Sequence, residues 1–257
     1  LELKEFFHLI DIHTHLIPNV DDGADSIEET LRLAQAAVDE GISHTVLTPH
    51  HNRFWVTNEK DTVLKDTERV RRAIQKANIP LTVSPGQEIR MNDEFIDELL
   101  AGNYLSIDAG GKYYLVEFAW GSFPAFGRSY LQQMVDADMI PVIAHPERQR
   151  TFLDAPDLLR ELTEMGCISQ LTSTSVVGGY SEEIRIASHD MMKENLIHVI
   201  ASDAHDTVDR PFNMTSALAV LEEEYGRAYR DNLIGNARKI FEGQAIDLFI
   251  HSTDNTG

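Results

Sequence analysis

Pro141-Val142-Ile143-Ala144-His145-Pro146-Glu147-Arg148 carries an apolar run of strand length into an imidazole, with an arginine three residues later. Val199-Ile200-Ala201-Ser202-Asp203-Ala204-His205 repeats the pattern, a buried-strand run that ends in metal-ligand residue types. In Asp11-Ile12-His13-Thr14-His15 two imidazoles stand two residues apart on a strand. Both project from one side and can bind one ion. Thr48-Pro49-His50-His51 ends another apolar run, with His50 read as inward and His51 as facing the opening. Glu88 follows Ser84-Pro85-Gly86-Gln87, and Glu117 closes Tyr113-Tyr114-Leu115-Val116. A carboxylate ending an apolar strand is costly to bury without a counter-charge. A metal ion supplies one. Water or an arginine is the plain alternative for each glutamate alone, as a structural role is for each histidine, so the argument rests on recurrence across the runs.

Working outward, short apolar runs alternate with amphipathic helical stretches, the mark of βα units and a parallel sheet. About seven strands are expected, at residues 8–15, 43–48, 81–88, 113–117, 140–145, 167–171 and 198–202. Helices are expected at 26–40, where Ser26 and Glu29 have capping-box spacing and Gly41 ends the run, and at 60–77. In a parallel α/β barrel the C-terminal strand ends share one face, where barrel active sites are built. His13, His15, His50, Glu88, Glu117, His145, Asp203 and His205 all fall there. No repeat or linker divides the chain, so one domain is expected over residues 8–250. Residues 1–7 read as an extension without functional weight, and 251–257 as a tail.

Oxygen and imidazole ligands without thiolate suit Mn²⁺, with Fe²⁺, Zn²⁺ and Mg²⁺ as alternatives. Five imidazoles and three or four carboxylates exceed one ion's coordination, so a cluster is implied, of the kind that hydrolyses phosphoryl esters. The formal charge of −20 argues against a nonspecific nucleic-acid surface. It admits an anionic substrate only where bound cations reverse the local sign. Cys167 is the sole cysteine, which excludes an intramolecular disulfide and a Cys₄ zinc site. Six positions after it stands Ser173, so the Cys-x₅-Arg pattern of thiol phosphatases is missing and a buried strand thiol is expected. With no apolar stretch of about 20 residues and no signal-peptide pattern, a cytoplasmic location and no membrane span are expected.

The stretches Asp11 to His15 with Pro18-Asn19-Val20-Asp21-Asp22-Gly23, Thr48 to His51, Gly86 to Glu88, Ile140 to Arg148, and Ile200 to His205 with Arg210-Pro211 resemble the polymerase and histidinol phosphatase (PHP) superfamily. They resemble most its bacterial protein-tyrosine phosphatases of capsular and exopolysaccharide synthesis, over residues 8 to 245. The resemblance implies a distorted TIM-like (β/α)7 barrel and three metal positions, most simply for Mn²⁺. His13, His15, Glu88 and Asp203 would form the first, Glu88, Glu117 and His145 the second, and Asp22, His50 and His205 the third. Arg148 matches the family's phosphate-contacting arginine, and Arg210 a second one near the rim; a surface ion pair is the alternative for each. The resemblance further implies a phosphotyrosine protein substrate, a bacterial autophosphorylating tyrosine kinase. Direct hydrolysis is expected, with His51 or Asp206 available to assist a phenolate leaving group. Rival readings are a small-molecule phosphatase acting on a compound such as histidinol phosphate, a metal-dependent nuclease, and a catalytically idle metal-binding regulator. Asn52-Arg53-Phe54-Trp55-Val56 and Gly121-Ser122-Phe123-Pro124 depart from the family's wording and bear on substrate preference.

Overall fold

A computed structural model describes residues 8–52, 56–119 and 121–249. The N-terminal extension, the C-terminal tail and the aromatic pair Phe54 and Trp55 therefore lie outside the described residues. The strands are β1 (Leu9–Thr14), β2 (Ile42–Leu47), β3 (His50–His51), β4 (Thr82–Pro85), β5 (Glu88–Arg90), β6 (Tyr113–Glu117), β7 (Ile140–Ala144), β8 (Ile168–Thr172) and β9 (Val199–Ala201). The paired strands are parallel, in the orders β1-β2-β4 and β3-β5-β6-β7-β8-β9.

The strand expected at 81–88 is broken into β4 and β5, and the one expected at 43–48 is followed by a separate short strand, β3. Between β2 and β3 stands Pro49, which has no N–H to give a ladder. Between β4 and β5 stands Gly86, packed so closely that a Cβ there would meet Val46 Cγ1 at 2.6 Å. Hydrogen bonds from Gly86 N–H to Leu47 O (2.9 Å) and from Glu88 N–H to Pro49 O (3.2 Å) carry the pairing across both breaks. Counted through the breaks, seven strands run in chain order. The ring closes where Thr14 bridges Ala204, with Asp203 N–H donating to His13 O and His15 N–H to Ala204 O, each at 2.9 Å. The fold is α/β, a distorted seven-stranded barrel.

Strand alternation divides the core. Ile12, Val46, Leu115, Val142, Ala144, Val199 and Ala201 form the inner cluster. Their neighbours Leu47, Val116, Ile143 and Ile200 join the outer cluster, with helix residues such as Leu33, Val70, Leu131 and Leu162. The helix Ile27–Asp39 buries Thr30, Leu33, Ala34 and Ala37, one face of a 3.6-residue period. Half of its capping box forms: Ser26 Oγ accepts Glu29 N–H (3.2 Å), while Arg32 takes the Glu29 carboxylate. The final helix, Arg227–Phe241, covers the β9–β1 seam. Among the described residues no helix is long and apolar enough to cross a membrane.

Candidate metal centre

Period-two alternation carries the inner face upward from apolar to polar residues. Glu117 stands two beyond Leu115, Gln170 two beyond Ile168, and Asp203 two beyond Ala201. His145 and Asp203 take left-handed backbone conformations (φ 34° and 54°) just past β7 and β9. Such φ values are uncommon for non-glycine residues and concentrate where a site dictates the geometry.

Glu88 is the hub. Its Oε2 lies 2.7 Å from His50 Nδ1, 3.4 Å from His13 Nε2 and 3.5 Å from His15 Nε2, while Oε1 meets His145 Nε2 at 2.8 Å. Asp203 Oδ1 sits 3.2 Å from His13 Nε2 and 3.3 Å from His15 Nε2. Asp22, on the exposed rim, reaches His50 Nε2 at 3.2 Å and His205 Nε2 at 3.4 Å through Oδ1. Among the described residues three groups have ligand atoms within 4.8 Å of one another: His13, His15, Glu88 and Asp203; His15, Asp22, His50 and His205; and His50, Glu88 and Glu117. The first holds the same four residues as the first position that the resemblance implies. The other two differ from the second and third positions it implies, because His15 joins the Asp22 group and His50 rather than His145 sits with Glu88 and Glu117. His145 approaches through Glu88, with its ring 5.7 Å from that of His13.

The far side of three of the rings is held as well. His13 Nδ1 faces Gln170 Oε1 (2.8 Å), His15 Nδ1 faces Asp21 Oδ2 (2.8 Å), and His205 Nδ1 faces the Asp203 carbonyl (2.8 Å). With Nδ1–H donated outward, each Nε2 lone pair points at the cluster, the arrangement that orients metal-binding imidazoles. Asp21 also accepts the N–H of His50 (3.0 Å) and of Gly23 (3.0 Å). Gly23 is obligatory, since a Cβ there would fall 2.2 Å from the His15 carbonyl oxygen. Asp11 accepts from Ser202 Oγ (2.5 Å) and from Ser202 N–H (3.1 Å), stitching β1 to the chain beyond β9. Its burial pushes the carboxyl up to about 6.

Charge is concentrated among buried side chains. Burial works to raise Glu88, but His50 and His13 outweigh it and hold the carboxyl well below the usual range. Asp203 is likewise held down against burial by His13, Arg210 and Arg148. Burial pushes His205 down to about 3. Glu88 Oε2, Asp203 Oδ1 and His205 Nε2 are buried without a hydrogen bond. Lone pairs converging on one another in this way fit divalent cations, and a nitrogen and oxygen donor set without thiolate fits hard to borderline ones.

Arg148 and Arg210 sit together at the edge. Both donate to Asp203 Oδ2, Arg210 at 3.0 Å, and Arg210 NH1 also reaches Asp22 Oδ2 at 3.4 Å. Two guanidiniums on one buried carboxylate are not a surface ion pair. His51 does not face the opening: it is buried, with Nδ1 on the Asn58 carbonyl (2.8 Å) and its ring edge-on to Tyr104. Asp206 builds a turn, its Oδ1 accepting the N–H of Val208, Asp209 and Arg210. Those bonds outweigh partial burial and keep it ionised, which does not suit a proton donor. Phe123, in the divergent Gly121–Pro124 stretch, packs on Phe118 (5.0 Å between centroids). Cys167 is buried, its thiol pushed up to about 12. Sequence reasoning missed Asp21, Gln170 and Arg90. Arg90 donates Nε and NH2 to Glu117 Oε2, both at 3.1 Å. Only Asp21 had a signal, its place beside Asp22 and Gly23.

The model of a family described as capsular polysaccharide synthesis, CpsB/CapC, matches residues 9–242. The tyrosine-protein phosphatase YwqE of Bacillus subtilis is 38% identical over 238 residues, 93% of each chain. The putative tyrosine-protein phosphatase CapC of Staphylococcus aureus is 31% identical over 249 residues, 96% of each. A crystal structure reported for YwqE of Bacillus subtilis and CpsB of Streptococcus pneumoniae, metal-dependent tyrosine phosphatases, superposes with a TM-score of 0.90 at 38% identity. It covers 93% of this chain and 96% of that one. A phosphotriesterase homology protein from Escherichia coli superposes with a TM-score of 0.56 at 14% identity, over 91% of this chain and 98% of that one, which shows the fold alone.

Proposed function

This chain belongs to the capsular polysaccharide synthesis CpsB/CapC family, and from that membership we propose that it is a metal-dependent protein-tyrosine phosphatase. The observation that carries the reading is the convergence of four imidazoles on Glu88, beside two arginines that share Asp203. His13, His15, Glu88 and Asp203 would hold one ion; Glu88, Glu117 and His145, with His50 alongside, a second; and Asp22, His50 and His205 a third. Bound divalent ions supply Lewis acidity and a water nucleophile active at neutral pH.

The rest is the work of the chain. Gln170, Asp21 and the Asp203 carbonyl fix the imidazole tautomers, so the donors need no reorganisation. Arg148 and Arg210 bind phosphoryl oxygens and balance the charge that builds on them as the ester breaks. A tyrosine phenolate leaves with a pKa of about 10 and needs little protonation. That agrees with the burial of His51 and the turn-building role of Asp206. The donor set favours Mn²⁺, with Fe, Zn or Mg as alternatives. The substrate we infer is a phosphotyrosine protein, a bacterial tyrosine autokinase of capsule or exopolysaccharide synthesis, in keeping with the family's description. A cytoplasmic location is in keeping with one buried, unpaired cysteine.

The test compares a phosphotyrosine peptide, histidinol phosphate and single-stranded DNA as substrates with Mn²⁺, and again after chelation. Mn²⁺-dependent turnover of the peptide is expected. Preference for histidinol phosphate, or peptide turnover that survives full chelation, would overturn the assignment.

A further inference from the structure

Among the strands β8 contributes none of the proposed ligands, yet it continues into a short helix, Ser173–Val176, to which the whole arginine corner is tied. Glu147 Oε1 accepts Thr172 N–H (3.1 Å) and Ser175 Oγ–H (2.7 Å), which fixes the turn bearing Arg148. Ser173 Oγ donates to the Phe212 carbonyl and Thr174 Oγ1 to the Pro211 carbonyl (3.3 Å), which fixes the loop after Arg210. Beyond the helix, Gly178 (φ 75°) turns the chain back. Gly179 N–H then bonds Thr174 O (2.9 Å) in packing so tight that a Cβ would meet Thr174 Cγ2 at 2.5 Å. This turn delivers Tyr180.

The Arg148 guanidinium lies over the Tyr180 ring, 4.7 Å from its centroid, a cation–π distance. The Tyr180 hydroxyl and Arg210 Nε are both buried, and the hydroxyl is a polar group that the Arg210 side chain meets there. Burial pushes the hydroxyl's pKa up, and the two guanidiniums beside it pull back. Arg148 otherwise rests on Asp203 Oδ2, and Arg210 on that oxygen and on Asp22 Oδ2; the other oxygen of Asp203 faces His13 and His15. An arginine held by that carboxylate alone would be tethered by a group already committed to the cluster.

We propose that Tyr180 is a positioning residue, whose ring and hydroxyl hold Arg148 and Arg210 as a preformed clamp for a phosphoryl group. This rests on the phosphatase reading above, but the binding of inorganic phosphate tests it without turnover. Tyr180→Ala, Tyr180→Phe and Tyr180→Trp would be loaded with Mn²⁺ and compared with wild type. The readouts are phosphate affinity by calorimetry, kcat and KM on a phosphotyrosine peptide, and metal content. The alanine variant should bind phosphate about tenfold more weakly, the phenylalanine variant about threefold, and tryptophan should recover most of the alanine loss through its π face. KM should rise in the same order at constant metal content. Phosphate affinity within twofold of wild type in Tyr180→Ala would overturn the proposal, as would losses that follow metal content rather than ring chemistry. Should the alanine variant fail to fold, Tyr180→Leu decides by the same phosphate criterion. Wild type that binds phosphate but leaves the peptide intact would defeat the phosphatase reading while the Tyr180 comparison still stands.

Discussion

Histidine stands at both ends of the barrel and meets opposite surroundings. At the C-terminal end His13, His15, His50, His145 and His205 crowd against Glu88, Asp203 and Asp22, and buried lone pairs are left facing each other. At the N-terminal end His198, just before β9, is neutral and matched. Its Nδ1 accepts Ser169 N–H (3.1 Å), its backbone N–H donates to Ser169 O (3.1 Å), and Asn236 Nδ2 donates to its backbone carbonyl (2.8 Å). Burial pushes this imidazole down to about 4. One end is complete with protein groups alone, whereas the other is an arrangement that a cation completes. Burying like charges without a counterion is costly, so the second arrangement marks function and the first marks stability.

Substitution should separate the two ends. The largest effect is expected at the hub: Glu88→Ala should lower kcat/KM on phosphotyrosine by about 10³-fold or more, since the nucleophile depends on the ions. Metal analysis should show lost ions, and full metal occupancy with full activity would break the contrast. Arg148→Ala should cost about 10²–10³-fold, in line with the loss of one charge-stabilising donor in a transition state, with the metals retained. Asp21→Asn leaves every proposed ligand in place. It should weaken metal affinity by about 10–100-fold, the usual cost of losing an outer partner of a ligand, as read by chelator competition.

The N-terminal end should show the smallest effect on catalysis and a distinct one on stability. Because the folded pKa of His198 lies below its ordinary 6.5, its neutral-state contribution is complete above pH 6.5 and declines as pH falls towards 4. The span of 2.5 units corresponds to about 3 kcal/mol. Denaturant unfolding of wild type and His198→Gln across that window should show the two curves converging as pH falls, with metal-loaded activity at pH 7 unchanged. A variant with the same acid sensitivity as wild type would remove His198 from the account.

The parts of this design that the residues alone make visible share one property, that each lies where a strand period ends, whereas Asp22, Arg148 and Arg210 were named only through the resemblance. His13, Glu117 and Asp203 announce themselves because an apolar run leads to a residue that no apolar core would accept. The seven-strand count was legible for the same reason. The strand breaks at Pro49 and Gly86 were not, since a run of apolar residues reads the same whether or not its ladder is interrupted. Gln170 was hidden because an amide on a buried strand has no chemical signature until its tertiary partner is known. His50 joined a second group because its two ring nitrogens face two neighbours, Nε2 towards Asp22 and Nδ1 towards Glu88, which spacing along the sequence does not show. Tyr180 stands in a Gly-Gly-Tyr turn that reads as ordinary loop punctuation, and its value comes from an arginine 32 positions earlier.

The seam that joins the first strand to the chain after the last has a consequence for biogenesis. Asp11 and Ser202 meet across 191 positions of sequence, and His13 and His15 meet Asp203 across nearly as many. Chains emerge from the ribosome N-terminus first, and such long-range closure comes late in folding. Two halves of the reactive centre are therefore kept apart until translation has passed both. A chain that ends before Asp203 carries only half of the ligand atoms that meet across this seam.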